Sequence, residues 1–311
     1  MDRLELFSQH RALLFAIAYR MLGSVVDAED MVQETFLRWQ GATEPIHAPK
    51  TYLAAITTRL CIDYLRSARI QRERYVGSWL PEPLISNQVE ALIDAPTDPV
   101  ELADSLSFAF LTLLECLTPT ERAIFLLREV FDYDYAEIAQ IVGKTPPNCR
   151  QILRRARQHL ARRPALHLPI QQRAELTEQF LTCWQQGDLK GLMTLMAEDV
   201  TFWSDGGGKA VAAQKPLHGA AKVARFLIAI QQSRILPRLR SQIVQINGQA
   251  GILNWAGSAP QSTISLHFVG QQVQTIFAVV NPDKLRCGQI RADFQRSGHS
   301  IGYSIRIGEC D

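Results

Sequence analysis

The sequence lacks the features of a secreted or membrane-spanning chain. No apolar run reaches the roughly 20 residues that a transmembrane helix needs, and the N-terminus has no basic region followed by an apolar core. The six cysteines show no C-x-x-C spacing, which argues against a zinc site and against a disulfide framework. We therefore expect a chain that works in the reducing cytoplasm, with no metal, no cofactor and no membrane contact.

Basic residues are missing from one long interval. No Lys or Arg lies between Arg74 and Arg122, whereas eight acidic residues do. The first part of this interval, residues 76–104, also contains four prolines, which is typical of a linker. The segment is either a solubilising tether or an acidic chain that sits in a basic channel of a partner.

Residues 134–160 predict two helices joined by a tight turn at Gly143. Pro146 stands at the first position of the second helix, where its missing N–H is tolerated. One side of that helix is apolar and the other is rich in amide and guanidinium groups, namely Asn148, Arg150, Gln151, Arg154, Arg155, Arg157 and Gln158. Gln and Arg can contact base edges, and further arginines can neutralise phosphates. The pair is interpreted as a DNA-binding helix-turn-helix.

The first 75 residues predict three further helices. Gly23 separates the first two, and the second begins with several acidic residues, which suits the helix dipole. The third helix begins at Pro49 and ends in a stretch with five arginines, next to Tyr64 and Tyr75. Aromatic and cationic side chains together are suited to single-stranded nucleic acid, where bases stack and phosphates pair.

The last third of the chain changes from helical to strand-like patterns. Two helices precede a strand near Val200, and a further helix at 220–232 precedes several alternating segments. This order predicts an α+β cone, a sheet curled around a pocket. The polar residues that an enzyme of this shape could use are Asp199, Trp203, Asp205, His218 and His267, but isolated residues of this kind do not predict a catalytic site. Gly206–Gly208 is too short for a phosphate-binding fingerprint and is interpreted as a tight turn that lets another backbone approach.

Four stretches together resemble one family. DAEDMVQETFLRW, TYLAAITTRLCIDYLRSAR, LTPTERAIFLLREVFDYDYAEIA and NCRQILRRAR are similar to the two domains of bacterial extracytoplasmic-function (ECF) sigma factors, over residues 3–163. Three shorter motifs, WLPEP at 79–83, DGGGK at 205–209 and NPDKL at 281–285, resemble the SigJ-like subgroup, which carries a SnoaL-like extension of the NTF2-like fold. The resemblance implies a multidomain chain in which two all-α sigma domains, a helical bundle and a helix-turn-helix, precede an α+β NTF2-like cone.

The 311 residues suffice for two or three packed domains. With the resemblance, the expected boundaries are 1–75 for sigma region 2, 76–104 for the linker, 105–163 for sigma region 4, 170–300 for the SnoaL-like domain and 301–311 for a tail. Such extensions usually stop soon after the NPDKL motif. The 26 residues that follow Leu285 have no functional interpretation.

The resemblance also implies partners and contact residues. The acidic second helix would dock on the β′ clamp helices of RNA polymerase core through Asp27, Glu29, Asp30, Gln33, Glu34 and Arg38. The loop at 41–50 and the third helix would hold the melted minus-ten strand. The contact residues of that helix would be Arg59, Asp63, Arg66 and Arg69. The last helix pair would contact the β flap and read the minus-thirty-five element through Asn148, Arg150, Gln151, Arg154, Arg155 and Arg157. The acidic linker would thread toward the polymerase active-site channel.

The C-terminal domain is implied to regulate the sigma domains in cis. Contact residues would come from the three short motifs, namely Trp79, Leu80, Pro81, Asp205, Gly206, Gly207, Gly208, Lys209, Asn281, Pro282, Asp283, Lys284 and Leu285. The free chain would then be packed so that the linker and the polymerase-binding surfaces are partly covered. The alternatives are a stand-alone helix-turn-helix regulator and a DNA-binding module fused to an NTF2-like enzyme. Whether the cone holds a small-molecule ligand stays open at this point.

Overall fold

The computed structural model describes residues 3–43, 46–72, 75–85, 104–160, 168–233 and 239–285. Within these ranges, seven helices come first, two more follow, and a six-stranded sheet with one further helix completes the chain. We refer to the three parts as the first helical domain, the second helical domain and the C-terminal domain. Of the linker predicted at 76–104, the structure describes residues 76–85 and Asp104; Tyr75 and residues 76–85 together are called the linker below.

The first helical domain consists of α1 (Arg3–Leu22), α2 (Val25–Gln40) and α3 (Pro49–Arg72). Gly23 ends α1 with a φ of 68°, a conformation that glycine adopts without strain. The side chain of Ser24 then caps α2 by accepting a hydrogen bond from the Asp27 amide. Both features agree with the two helices predicted around Gly23.

The second helical domain consists of α4 (Phe108–Leu114), α5 (Pro119–Glu129), α6 (Tyr135–Val142) and α7 (Pro146–Leu160). A capping box between Thr118 and Glu121 begins α5. Gly143, with a φ of 65°, makes the predicted turn between α6 and α7. One continuous apolar core includes Leu14 of α1, Leu53 of α3, Ile138 of α6 and Leu153 of α7, so the two helical domains pack directly on each other.

The C-terminal domain contains α8 (Ile170–Gln186), α9 (Leu189–Leu195) and α10 (Ala220–Gln231). Its strands are β1 (Met196–Asp205), β2 (Leu217–His218), β3 (Arg240–Ile246), β4 (Gln249–Ala256), β5 (Ala259–Val269) and β6 (Gln272–Val279). Their order in the sheet is β2-β1-β6-β5-β4-β3, with β1 parallel to β6 and the other pairs antiparallel. The strand predicted near Val200 is β1, and it follows α9 directly.

The two faces of the sheet pack against different parts of the chain. Ile252, Ile264 and Ile276 face the helices of the same domain and pack with a set of side chains that includes Phe180, Trp184, Leu192 and Val223. On the other face, a second cluster combines Leu253, Phe277 and Val279 with Leu80 and Ile85 of the linker and Phe108 of α4. Because strand side chains alternate, one sheet serves both as the domain's own core and as its interface with the rest of the chain.

The linker is not a solvated tether where the structure describes it. Residues 80–85 are all buried, and Ile85 forms an antiparallel bridge with Ile246 at the edge strand β3. The tether interpretation is therefore wrong for these residues. Residues 86–103, which include most of the acidic side chains of the linker, lie outside the described residues, as does the tail from 286.

Candidate functional site

Asp205, the last residue of β1, lies at the centre of the contact between the C-terminal domain and the linker. Its carboxylate is fully buried. Oδ1 accepts hydrogen bonds from the Tyr75 hydroxyl at 2.5 Å and the Gly207 amide at 3.0 Å. Oδ2 accepts from the Leu80 amide at 2.9 Å and from Nζ of Lys284 at 2.7 Å. Four donors thus compensate for the buried charge, and two of them belong to the linker.

Lys284 is the counter-ion of Asp205 and is held in a largely buried, partly aromatic site. Its Nζ lies 4.4 Å from the ring centroid of Trp79 and 5.4 Å from that of Tyr75, within cation–π range. It also donates to the carbonyl of Leu80. Burial raises the pKa of Tyr75, and the hydrogen bond to Asp205 raises it further, so the phenol stays protonated and acts as a donor.

The glycines of the DGGGK motif allow a close approach, as the sequence suggests: the Ala210 backbone carbonyl approaches Gly206, and side chains approach Gly207 and Gly208. A Cβ on Gly207 would lie 2.2 Å from Nδ2 of Asn281, which donates to the Tyr75 hydroxyl at 3.0 Å. A Cβ on Gly208 would lie 3.3 Å from Cβ of Val76 in the linker. All three short motifs therefore meet at this site.

The other side of the linker packs on the start of α2. A Cβ on Gly23 would lie 2.6 Å from Cη2 of Trp79, so the indole lies directly on the α1–α2 turn. The Glu82 amide donates to the Gly23 carbonyl at 2.8 Å. The Glu82 carboxylate accepts from the Val25 amide at 2.7 Å and acts as a second cap for α2. The WLPEP segment is thus held between the first helical domain and the C-terminal domain.

Glu82 should give the closed chain a measurable pH dependence. Burial raises the pKa of this carboxyl, and the amides of Val25 and Val26 offset part of the shift. An acid whose folded-state pKa is raised contributes most to stability when the pH is at or below its ordinary pKa. This contribution is lost as the pH rises through the folded-state pKa. The melting temperature of the wild type relative to Glu82→Gln should therefore fall as pH rises from about 4.5. Parallel melting curves of the two proteins across this range would contradict the assignment.

Asn247, in the β3–β4 turn, was missed by the sequence analysis. It is fully buried, and its φ of 54° beside Gly248 at 76° is typical of a type I′ hairpin turn. Its Oδ1 accepts from the Leu84 amide at 2.9 Å, while Nδ2 donates to the Tyr19 hydroxyl at 2.7 Å and to the Leu106 carbonyl at 2.9 Å. The Asn-Gly pair predicts the hairpin, but nothing local in the sequence reveals these distant partners.

A second ion pair, also unpredicted, holds the start of the second helical domain. Nη1 of Arg173 in α8 lies 2.5 Å from Oδ1 of Asp104, and Nε2 of Gln249 donates to the same oxygen at 3.0 Å. Phe108 packs against Phe277 with ring centroids 5.9 Å apart. The C-terminal domain therefore contacts the chain on both sides of the acidic linker.

The two helical domains also contact each other through residues predicted to bind promoter DNA. Nε of Arg59 in α3 donates to the Ile141 carbonyl at 2.8 Å, and Nη2 donates to the Gln140 carbonyl at 2.7 Å. These carbonyls lie at the C-terminal end of α6, where a cation also complements the helix dipole. Asp63 and Arg66 are exposed and pair with each other at 3.3 Å. The side chain of Arg69 lies outside the described residues.

The predicted minus-thirty-five residues all lie on the exposed side of α7, opposite its buried Cys149, Leu153 and Ala156. Two of them already contact other side chains. The guanidinium of Arg150 lies 4.8 Å from the ring centroid of Tyr135, and Arg157 pairs with Glu129 at 2.8 Å. The remaining four, Asn148, Gln151, Arg154 and Arg155, extend along one accessible face.

The predicted polymerase-binding residues lie along the outer side of α2. Asp30, Gln33 and Arg38 are exposed, so any covering of this surface in the free chain does not include these three residues. Asp27, Glu29 and Glu34 are half-buried, with Glu29 paired to Arg11 and Glu34 to Arg38. Val26 and Leu37 on the same helix are each 61% exposed, which gives the acidic surface an apolar component.

The residues that an enzyme could use lie in different environments. Asp199 and His218 are exposed, Trp203 packs with the interdomain cluster, and Asp205 is fully engaged with the linker. His267 is half-buried on β5. Among the described residues, no group of three or more His, Cys, Asp or Glu side chains is placed to hold a metal ion.

Family models match both helical parts of the chain. Residues 6–70 match Sigma-70 region 2, and residues 107–160 match Sigma-70, region 4. The ECF RNA polymerase sigma factor SigJ of Mycobacterium tuberculosis (strain ATCC 25618 / H37Rv) is 35% identical over 293 residues, which cover 89% of this chain and 91% of that protein. The chain belongs to the ECF RNA polymerase sigma factors.

Other comparisons agree with this family assignment. The probable ECF RNA polymerase sigma factor SigI of the same strain is 31% identical over 281 residues, 89% of this chain and 92% of that protein. The crystal structure of Mycobacterium tuberculosis SigJ is similar with a TM-score of 0.69 and 29% identity, covering 90% of this chain and 97% of the other. The similarity therefore includes the C-terminal domain.

The family assignment confirms the predicted fold class, in which two all-α sigma domains precede an α+β SnoaL-like, NTF2-like domain. The sigma factor has RNA polymerase core and promoter DNA as its partners, and it acts in transcription initiation. The stand-alone regulator is not favoured. None of the helices within the described ranges is long and apolar enough to cross a membrane.

Proposed function

We propose that the C-terminal domain keeps this sigma factor in a closed state, and that promoter recognition requires the two helical domains to separate. The observation that carries the proposal is the burial of the WLPEP segment between α2 and the sheet, with Asp205 as its central acceptor. The sigma factor performs no chemistry itself, since the polymerase makes the RNA. Its place of action is the cytoplasm, where the polymerase works.

In the open state, each surface takes the partner that the resemblance implies. The exposed acidic side of α2 docks on the β′ clamp helices, and the second helical domain contacts the β flap. The loop at 41–50 and Arg59, Asp63, Arg66 and Arg69 of α3 hold the minus-ten strand, while α7 reads the minus-thirty-five element. The acidic linker enters the active-site channel, and its charge suits a basic environment.

The closed arrangement is incompatible with simultaneous binding of both promoter elements. The names of the two elements place them about 25 base pairs apart, or ~85 Å along B-form DNA. In the free chain, Arg59 of the minus-ten surface is hydrogen-bonded to α6, the helix that precedes the minus-thirty-five reader. Arg59 cannot cap α6 and bind the promoter strand at the same time. Promoter binding must therefore break this contact.

Removal of the C-terminal domain tests the proposal. A chain that ends at Leu168 should bind core polymerase about tenfold more tightly than the full chain, because a modest interdomain coupling of ~1.4 kcal/mol is lost. Binding can be measured by titration of labelled protein with purified core, and run-off transcription from a selected promoter shows whether either form starts RNA synthesis. Equal affinity of the two proteins for core would refute inhibition in cis. Failure to start RNA synthesis in either form would refute the role in initiation.

A further inference from the structure

Arg20, in the last turn of α1, is a buried cation at the contact between the two helical domains. The residue is only 3% exposed. Its Nη2 donates to the hydroxyl of Ser105, at the start of the second helical domain, at 2.9 Å. The guanidinium also lies 5.4 Å from the ring centroid of Phe131, just after α5. Burial lowers the pKa of Arg20 to about 10, so the group still carries its charge at neutral pH.

The charge of Arg20 is poorly compensated in this site. Besides the bond to Ser105, Nη1 donates to the Ala16 carbonyl at 3.3 Å, and both acceptors are neutral oxygens. Nε is buried and has no hydrogen-bond acceptor. Among the residues that the structure describes, no carboxylate forms an ion pair with this guanidinium. A cation that is buried without a counter-ion costs free energy, because it has lost its water.

Three other buried cations in the contacts between domains are compensated. The side chains of Arg122, Arg173 and Lys284 are at most 12% exposed, and each pairs with a carboxylate, at 2.9 Å, 2.5 Å and 2.7 Å respectively. Arg122 of α5 also donates to the Met21 carbonyl at 2.7 Å, so its paired charge lies at the same end of α1 as Arg20. Arg20 is therefore the exception among these four cations.

The position of Arg20 near the end of α1 gives one favourable term, the attraction of a cation to the helix dipole. This attraction is the same whether or not the second helical domain is in place, so it does not favour the closed state. The side chains of Ser105 and Phe131, in contrast, cover the guanidinium only while the second helical domain packs on α1. The cost of burial therefore acts against the closed state alone.

We infer that Arg20 is a built-in destabilising residue of the closed state, whose uncompensated charge opposes the contacts of the C-terminal domain and keeps closure reversible. This inference rests on the proposed function and adds a regulatory element to it. A partner can open the chain only by the difference between its affinities for the open and the closed state. The burial of Arg20 lowers the difference that core polymerase must supply.

Arg20→Met in the full chain tests this role. Methionine brings no charge, and its sulfur packs well against an aromatic ring such as that of Phe131. Because an apolar side chain of similar volume often stabilises a site that held a buried charge, the melting temperature should rise. Affinity for purified core polymerase should fall about tenfold, which corresponds to ~1.4 kcal/mol in favour of the closed state. Arg225→Met removes the same charge at an exposed position in α10 and should change neither quantity.

Ser105→Asp supplies the missing counter-ion from the other domain. A carboxylate in place of the hydroxyl that accepts from Nη2 should pair with Arg20, raise the melting temperature and weaken core binding. In the Arg20→Met background the same carboxylate lacks this partner, so Ser105→Asp should there lower the melting temperature and strengthen core binding. This reversal of sign separates charge compensation from the loss of a direct contact between Arg20 and polymerase. Such a loss would leave Ser105→Asp without effect on core affinity, and that result would refute the inference.

The remaining outcomes separate the inference from the proposed function. If Arg20→Met lowers the melting temperature or leaves it unchanged, the buried charge does not oppose closure and the inference fails. Asp205→Asn is measured in parallel and should bind core more tightly. If it does so while Arg20→Met leaves core affinity unchanged, inhibition in cis stands and the role of Arg20 alone is refuted. If Asp205→Asn leaves core affinity unchanged, the proposed function is refuted.

Discussion

Replacement of Asp205 by Asn is expected to weaken the attachment of the linker to the C-terminal domain by about 3–5 kcal/mol. The substitution keeps the shape of the side chain but leaves Lys284 without its counter-ion in a site where it is only 12% exposed. It also places an amide where the carboxylate accepts hydrogen bonds from Leu80 and Lys284. Amide hydrogen exchange of residues 75–85 should accelerate by a factor of 100 or more, since ~1.4 kcal/mol corresponds to tenfold.

Two further variants make the Asp205 prediction specific. Lys284→Met should also loosen the linker. The double variant should lose less stability than the two single variants combined, because each single variant leaves one buried charge without its partner. Asp283→Asn is the control, since the pair that Asp283 forms with Lys209 is exposed and should contribute less than about 1 kcal/mol. Additive losses in the double variant would contradict a direct coupling between Asp205 and Lys284.

Gly23→Ala is expected to displace Trp79 and open the linker from the opposite side, at a total cost of about 3 kcal/mol. One part is the strain of a non-glycine residue at a φ of 68°. The other is the clash of the new Cβ with Cη2 of Trp79 at 2.6 Å, which the bulky ring cannot avoid without leaving the α1–α2 turn. Thermal unfolding reports the total loss of stability, and amide hydrogen exchange of residues 75–85 reports the opening of the linker.

Gly143→Ala is the matched control for Gly23. Gly143 also ends a helix, with a φ of 65°, but no atom of the described residues lies within 4 Å of its Cβ position. The Gly143→Ala variant should lose about 1–2 kcal/mol of stability through backbone strain, and the linker amides should stay protected from hydrogen exchange. If the two substitutions accelerate exchange in residues 75–85 to the same extent, contact between Trp79 and Gly23 does not hold the linker.

Features that depend on local sequence were predictable. Gly23 and Gly143 end helices where the apolar periodicity breaks, and Thr118 with Glu121 forms its capping box. These signals act over three or four residues, so they are visible before the fold is known. The three motifs that meet at Asp205 were available only through the resemblance, because spacing alone does not connect residue 79 with residue 281.

Features that depend on long-range packing were not predictable. The partners of Asn247 lie at Tyr19, Leu84 and Leu106, up to 228 positions away, and an Asn-Gly pair by itself specifies only a hairpin. Arg59 was assigned to nucleic acid because a cationic helix face is suited to it, but the same guanidinium also caps α6 in the closed chain. The sequence also did not show which part of α2 is covered, because the contact with the WLPEP segment is at the start of this helix and leaves Asp30, Gln33 and Arg38 exposed.

The distance between the two helical domains tests the central claim most directly. Spin labels on a noncanonical amino acid at Leu37 of α2 and Gln158 of α7, both exposed, can report it by pulsed electron spin resonance without interference from the native cysteines. The full-length chain should show one narrow distribution at short distance, and Asp205→Asn should add a broad population at longer distance. Identical distributions in the two proteins would contradict the claim that the C-terminal domain holds the sigma domains together.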